Sequence, residues 1–225
     1  MESIIKSILI DKKSRKSKSS IIPNDLDSIR STVLGKFYEG IIAKWLEEKE
    51  YYKFRNGKPS VYWHNILIPD KIDNSEEYKA SLEKIIKDQK KKRTNSDGLF
   101  ERGEKKYLWE AKNWPKWNQG CSDNKEQICK IFKETPWIFA KEVKHIGKNM
   151  PIQGIIFSWW NEFEGFKEFE DNISKIIEIE FKIYFTSNII DDCRKEKYDW
   201  YIELVKEQQE NLCLFFTELL GDSKL

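Results

Sequence analysis

The sequence contains few of the residues that build zinc sites and disulfide frameworks. It has four cysteines and two histidines in 225 residues. The cysteines, which are Cys121, Cys129, Cys193 and Cys213, form no C-x-x-C pair, and no histidine stands at a matching spacing. We therefore expect no zinc site, and we expect the thiols to be reduced.

Long apolar runs and a secretory leader pattern are also missing. No segment approaches the roughly 18 consecutive apolar residues that a membrane-spanning helix needs. The N-terminus shows no basic, apolar and small-residue succession of a signal peptide. Both absences predict an intracellular protein, with the cytoplasm as its default location.

A strong excess of charge of one sign is absent as well. Lysine and arginine total 40, aspartate and glutamate total 38, and the net charge is +2. The electrostatic field of the whole molecule is therefore too weak to indicate a nucleic-acid partner by itself. The apolar residues, 39% of the chain with 14% aromatic, are sufficient to form a core, and the length suits one large α/β domain or a core with insertions.

The most informative segment runs from residue 95 to residue 112, with the sequence NSDGLFERGEKKYLWEAK. It predicts two short strands around a two-residue loop, Gly103-Glu104, because glycine first is typical of a type II′ turn. The resulting register sets Asp97 directly opposite Glu110. Opposed residues of an antiparallel pair share a face, with their Cβ atoms about 4.5–5.5 Å apart.

The second strand of this hairpin has two distinct faces. Side chains alternate along a strand, so Glu110 and Lys112 point to the side that carries Asp97. Tyr107, Trp109 and Ala111 point to the other side, which suits packing against a core. One face therefore carries two acids and an ammonium group, and two carboxylates at this separation can hold one hard divalent cation through oxygen.

Asp97 followed by Glu110-Ala111-Lys112 at the end of an apolar strand resembles the signature of the PD-(D/E)xK nuclease superfamily, to which the type II restriction endonucleases belong. The proline that precedes the aspartate in the family is Ser96 here. The resemblance covers the central third of the chain through its motif, and the flanks only through element order. The alternative is a solvated surface hairpin decorated with charges.

The resemblance implies an α/β fold with a mixed central sheet flanked by helices, an αβββαβ core with additional helices, in a single domain over residues 1–225. The periodicity of the sequence agrees in element order. It predicts helices over residues 27–49, 76–90, 124–134 and 198–220, a further helical piece over 137–146, and strands over 62–68, 152–160 and 176–186. The last helix is expected to end at Gly221.

The resemblance also implies a cofactor and roles for individual residues. Mg²⁺, or Mn²⁺ in its place, would be held by Asp97, Glu110 and the carbonyl of Ala111, and Lys112 would orient or deprotonate the attacking water. The family often presents a glutamate from its first helix, and the candidate is Glu39, whose alternative reading is an ordinary exposed acid. Gln127 would support the site by a hydrogen bond, or be structural.

DNA contacts are expected in the segments that directly precede and follow the hairpin in the sequence. The basic run before it would neutralise phosphates, and the loop after it mixes aromatic, amide and lysine side chains. The first group is Lys90, Lys91, Lys92 and Arg93; the second is Asn113, Trp114, Lys116, Asn118 and Gln119. Amides pair with adenine, which favours an A/T-rich target. Alternatively, Trp114 and Trp117 pack beneath the loop. The segment 11–20 is a flexible basic arm or a solvated loop.

Other hydrolytic chemistries lack their residues in this sequence. His64 and His145 are isolated, and H-x-K-x₄-D, G-x-S-x-G and GxxxxGK[ST] motifs are absent. The expected function is a Mg²⁺-dependent type II endonuclease that cuts double-stranded DNA at a short, palindromic, A/T-rich sequence as a homodimer. A structure-specific nuclease, such as a junction resolvase or repair enzyme, and a non-catalytic DNA-binding protein are the alternatives.

Overall fold

The computed structural model describes residues 26–54, 57–62, 65–66, 80, 83–84, 93–112, 126–127, 130–131 and 134–220. These residues divide into two compact units. One contains the described residues between 1 and 41 and between 190 and 225, and the other contains those between 42 and 189. The structure is of the mixed α/β class, as predicted, and the assignment of residues 1–225 to a single domain stays a prediction.

Four helices and nine strands can be given bounds in the described part of the chain. The helices are α1 (Leu26–Glu48), α2 (Phe166–Ile177), α3 (Thr186–Glu196) and α4 (Asp199–Leu220). The strands are β1 (Tyr52–Lys53), β2 (Ser60–Tyr62), β3 (Arg93–Asn95), β4 (Gly98–Arg102), β5 (Lys105–Lys112), β6 (Glu142–His145), β7 (Lys148–Pro151), β8 (Gly154–Trp159) and β9 (Glu180–Phe185).

The larger sheet has five strands in the order β1-β4-β5-β8-β9. Strand β4 pairs antiparallel with both β1 and β5, whereas β5, β8 and β9 run parallel. Every residue of β8 is buried, which is typical of a parallel strand that is covered on both faces. The sheet is therefore mixed, in agreement with the predicted class.

Helix α2 makes the crossover between the parallel strands β8 and β9, a connection that parallel pairing requires. No helix was predicted between these strands, and the strand predicted over 176–186 was wrong at its start. Ile177 still belongs to α2 and is buried with Phe169 and Ile173. Glu178 then ends the helix with a left-handed φ of 60°, so that β9 begins only at Glu180.

The smaller sheet has four antiparallel strands in the order β3-β2-β6-β7. The helical piece predicted over 137–146 was wrong. Pro136 begins a single 3₁₀ turn that ends at Phe139, and Glu142 to His145 then alternate between exposed and buried positions, as a strand does. The loop Ile146-Gly147 has φ values of 47° and 76°, the pattern of a type I′ hairpin turn.

The remaining predicted elements are partly described. Ala80, Glu83 and Lys84 are helical within the predicted helix 76–90, and Glu126, Gln127, Lys130, Ile131 and Glu134 are helical within 124–134. Helix α4 begins one residue after its predicted start, and Gly221 lies outside the described residues. Of the strand predicted over 62–68, the structure describes Tyr62, which ends β2, and residues 65 and 66, of which Ile66 makes a β-bridge to Ala140.

The two faces of the larger sheet are buried differently. Leu99, Leu108 and Phe157 join the main apolar cluster on one face. Tyr107 and Trp109 are buried on the other face, as predicted, and the indole N–H of Trp109 donates to Ser158 Oγ at 2.8 Å. Because Trp109 is held on the opposite face, its neighbour Glu110 points to the face that carries the main cluster.

We expect Gly154→Ala to destabilise the protein by about 1–3 kcal/mol through overpacking. A β-carbon at this position would lie 2.5 Å from Cδ1 of Tyr107. This ring cannot swing away easily, because its hydroxyl donates to Glu180 Oε2 at 2.7 Å. Urea denaturation measures the change.

The matched control for this substitution is Gly40→Ala. Gly40 lies inside α1, where a β-carbon would meet no described atom within 4 Å. Alanine there should stabilise the helix by about 0.5–1 kcal/mol. Equal effects at the two positions would contradict the close approach of Tyr107 to Gly154.

Candidate active site

The site lies where the chain passes from the smaller sheet to the larger one. Strand β3 ends at Asn95 and β4 begins at Gly98, so only Ser96 and Asp97 separate the two sheets. Ser96 is buried, its hydroxyl donates to the carbonyl of Trp109, and its backbone N–H donates to Pro59 O at 3.3 Å. These contacts fix the backbone on which Asp97 stands.

The hairpin between β4 and β5 has the predicted register. Gly98 pairs with Trp109 and Arg102 with Lys105, so the next opposed pair is Asp97 and Glu110. Gly103 has a φ of 60° whereas Glu104 is not among the residues with positive φ, as a type II′ turn requires. The predicted register of the hairpin is confirmed, and its extension by one residue sets Asp97, which lies just before β4, across from Glu110.

Both carboxylate oxygens of Asp97 accept hydrogen bonds. Lys58 Nζ donates to Oδ1 at 2.9 Å, and the backbone N–H of Ala111 donates to Oδ2 at 3.0 Å. The aspartate therefore contacts the strand that carries Glu110 as well as the segment before β2. Its side chain remains 15% exposed, which leaves it accessible to a ligand.

Glu110 is more deeply buried, and both of its oxygens also accept hydrogen bonds. Lys112 Nζ donates to Oε1 at 2.7 Å, and Trp137 Nε1 donates to Oε2 at 3.1 Å. The ammonium group of Lys112 also lies 5.5 Å from the centre of the Trp137 ring, within the range of a cation–π contact. Trp137 thus holds the glutamate and the lysine together.

The electrostatics of the site follow from this crowding. Burial first, and then the nearby negative charge of Asp97, raise the pKa of Glu110, whereas the charge of Lys112 and the hydrogen bonds from Lys112 and Trp137 lower it, and together these effects place the pKa at about 7. A carboxylate that is disfavoured by burial and by a second carboxylate gains from any additional positive charge. The pair is therefore chemically suited to a cation.

The donor set fits a hard divalent cation. Asp97 and Glu110 supply carboxylate oxygens from one face of one hairpin, and the backbone of Ala111 supplies a carbonyl oxygen, the ligand types that Mg²⁺ takes together with water. Within the described ranges, no group of three His, Cys, Asp or Glu side chains could hold a metal ion. A cation at this position would thus be coordinated by two carboxylates, and it would compete with the ammonium groups of Lys58 and Lys112 for their oxygens.

The other predicted site residues are placed as follows. Glu39 is half-buried in α1, where it pairs with Lys36 at 2.5 Å, and its role at the metal stays a prediction. Arg93 lies in β3, opposite Tyr62. The predicted contacts Lys90, Lys91, Lys92, Asn113, Trp114, Lys116, Asn118 and Gln119, together with Trp117 and the segment 11–20, lie outside the described residues.

Gln127 lies on the helical residues that follow the hairpin. It is largely buried, and its Oε1 has no hydrogen-bond partner in the part of the chain that the structure describes. Its supporting role at the site stays a prediction.

Sequence reasoning missed two residues that contact the acids, Lys58 and Trp137. Lys58 is an isolated lysine near a turn, and no local pattern distinguishes it from other surface lysines. Trp137 follows Pro136, a signal for the start of a short turn. The prediction instead placed Trp137 in a helix over 137–146, so its contact with Glu110 was not expected. Both contacts are long-range, so that only the folded chain reveals them.

Comparison with known proteins finds no relative of this chain. No protein-family model, curated protein or solved structure matches this chain. In addition, none of the described helices has the length and apolar character that crossing a membrane requires.

Proposed function

We propose that this protein is a Mg²⁺-dependent, site-specific endonuclease that hydrolyses phosphodiester bonds of double-stranded DNA. The observation that carries the proposal is the arrangement of Asp97, Glu110 and Lys112. The two acids are opposed on one face of the hairpin, and the lysine contacts the glutamate at 2.7 Å. This is the acid, acid and lysine set that the PD-(D/E)xK resemblance implies.

The element order supports the same proposal. An initial helix is followed by the antiparallel strands β1, β4 and β5, then by helical residues between 126 and 134, and then by β8, which runs parallel to β5. This order is compatible with an αβββαβ core in which β4 and β5 are the second and third strands. The smaller sheet is then an insertion between the first and second strands, extended by the β6–β7 hairpin.

The chemistry rests on the residues of the hairpin. Asp97 and Glu110 would hold Mg²⁺, which when bound supplies Lewis acidity and lowers the pKa of water. Lys112 would orient or deprotonate the attacking water, and its charge would stabilise the phosphoryl oxygens. Trp137 keeps Glu110 and Lys112 in place, and the burial of Glu110 limits its access to bulk water.

The finer features of the proposal are those of a type II restriction endonuclease in the cytoplasm. A homodimer would match a palindromic target, because a two-fold protein fits a two-fold site. An A/T-rich target follows from the amides of the loop 113–120 and from the scarcity of arginine.

Digestion of long duplex DNA by the purified full chain tests this proposal. With Mg²⁺ or Mn²⁺ we expect discrete fragments, and with EDTA we expect none. Cleavage of branched DNA irrespective of sequence would replace the proposal with a structure-specific nuclease. Binding of DNA without cleavage in the presence of either Mg²⁺ or Mn²⁺ would indicate a non-catalytic DNA-binding protein.

A further inference from the structure

The hairpin of β6 and β7 carries an apolar residue at an unusual place. Ile146 stands at the tip, 65% exposed, with a φ of 47°. A β-branched residue in the left-handed region is a genuine outlier, because its side chain crowds the backbone there. Asparagine is the residue that this first turn position favours. The isoleucine thus costs stability twice, through its conformation and through its exposure to water.

Lysines outnumber acidic residues along the rest of the hairpin. Between residues 141 and 149 the chain has Lys141, Lys144 and Lys148 against a single acid, Glu142. Lys144 pairs directly with Asn149, so a cation and an amide stand side by side on the outward face. Asn149 is exposed and Lys144 is half-exposed.

The inward face of the hairpin fixes it to the protein. Val143 and His145 are buried, and the His145 ring makes an edge contact with Phe54 at 5.4 Å between centroids. The loop is therefore presented by a firmly packed pair of strands. Strain that survives on such a scaffold is a recognised sign of function.

The direction of the strands aims the tip toward the candidate active site. Ser60 of β2 pairs antiparallel with Lys144 of β6. Moving from Ser60 back to Lys58 therefore corresponds to moving from Lys144 forward to Ile146. Because Lys58 contacts Asp97 at 2.9 Å, the hairpin tip and the acids lie toward the same end of the smaller sheet.

We propose that the β6–β7 hairpin is a duplex-DNA contact element, with Lys144 and Asn149 on its outward face and Ile146 as an apolar contact at its tip. A two-stranded ribbon fits the major groove, where amides read adenine and apolar groups touch the thymine methyl. The lysines contribute phosphate neutralisation. This inference rests on the proposed function, since it names the surface that would bring DNA to the acids.

The alternative, that the lysines merely protect an exposed edge strand, gives no role to Ile146. The decisive variant is therefore Ile146→Asn, because the two readings predict different results for it. Relief of the left-handed strain should raise the melting temperature by about 2–4 °C. Loss of the apolar contact should weaken binding to duplex DNA by about tenfold. Ile146→Gly relieves the same strain and serves as a second variant.

The matched control is Glu178→Asn. Glu178 is also a non-glycine residue with left-handed φ, but it caps α2. The same relief of strain is expected there, with unchanged DNA binding. Lys144→Ala should lower the slope of log affinity against log salt by about 0.9, whereas Lys175→Ala, an exposed lysine on α2, should not change it.

Binding is measured by fluorescence anisotropy with a labelled duplex three helical turns long, in EDTA, so that it does not depend on cleavage. If Ile146→Asn and Ile146→Gly bind as tightly as wild type, or if wild type prefers single-stranded DNA, the hairpin inference is overturned. If wild type cuts DNA with Mg²⁺ but these variants bind normally, the proposed function is supported and the hairpin inference is overturned.

The opposite result separates the two proposals in the other direction. Binding that depends on Ile146 and Lys144, without cleavage under Mg²⁺ or Mn²⁺, supports the hairpin as a DNA contact and overturns the nuclease. Wild-type protein that neither binds nor cuts duplex DNA overturns both.

Discussion

Asp97→Asn is expected to lower Mg²⁺-dependent cleavage of duplex DNA by about a hundred- to a thousandfold, the cost of removing one charge-stabilising group from an active site. Asparagine has nearly the same shape and can still accept the hydrogen bond from the Ala111 N–H, so that the fold is kept. It cannot supply the negative charge that would hold a divalent cation beside Glu110. Initial rates on plasmid DNA at saturating Mg²⁺ measure the loss.

Lys112→Ala is expected to reduce cleavage to a similar extent for a different reason. The substitution removes the ammonium group that contacts Glu110 Oε1 at 2.7 Å and leaves both carboxylates in place. Metal affinity should therefore be maintained or increased, while the rate at saturating Mg²⁺ falls. A Mg²⁺ titration of the cleavage rate distinguishes this variant from Asp97→Asn.

The controls for both variants are Asp171→Asn and Lys175→Ala. Both positions are exposed on α2, and neither belongs to the proposed site. Their cleavage rates should equal that of wild type. Wild-type rates in Asp97→Asn or Lys112→Ala would remove that residue from the mechanism.

A further large effect concerns the pH dependence of stability in EDTA. The folded-state pKa of Glu110 is raised from an ordinary 4.5 to about 7 by burial and by the charge of Asp97. Between these two pH values the folded chain binds more protons than the unfolded chain, so the free energy of unfolding falls as pH rises. The loss attributable to this residue is roughly 3 kcal/mol, complete above pH 7.

Glu110→Gln should remove this component, because glutamine carries no charge at any of these pH values. We expect the decrease in unfolding free energy between pH 4.5 and pH 8 to be roughly 3 kcal/mol smaller than in wild type. Urea denaturation across this pH range, with EDTA present, gives the two curves. The same variant should be inactive, since a carboxylate ligand is lost.

Glu168→Gln on the exposed side of α2 is the control for this experiment and should follow the wild-type curve. Parallel curves for wild type and Glu110→Gln would show that Glu110 titrates as an ordinary exposed acid. The burial of Glu110 beside Asp97 would then be wrong.

The hairpin of β4 and β5 shows how much could be predicted from a local pattern. A two-residue loop that begins with glycine determines the register, and the alternation of side chains then determines the faces. The opposition of Asp97 and Glu110, and the burial of Trp109 on the opposite side, follow from these two rules. No distant part of the chain is needed for either.

Short elements and helix boundaries were harder to predict, for a physical reason. Residues 137–146 have enough apolar positions to suit a helix, but the strand Glu142–His145 is selected by its pairing with Ser60 of β2. Similarly, the end of α2 at Glu178 depends on packing of the helix against the sheet. A periodicity read along the chain does not contain these long-range partners.

The sequence by itself determined the register of the central hairpin and the shared face of its two acids and lysine, because turn chemistry and side-chain alternation are local properties. The mixed α/β class was expected from the resemblance and from the order of the predicted elements. Only the tertiary structure decided what surrounds the two acids and the lysine. Lys58 and Trp137 reach the carboxylates from segments 39 and 27 residues away along the chain. The raised pKa of Glu110 likewise comes from burial, which no single segment of the sequence determines.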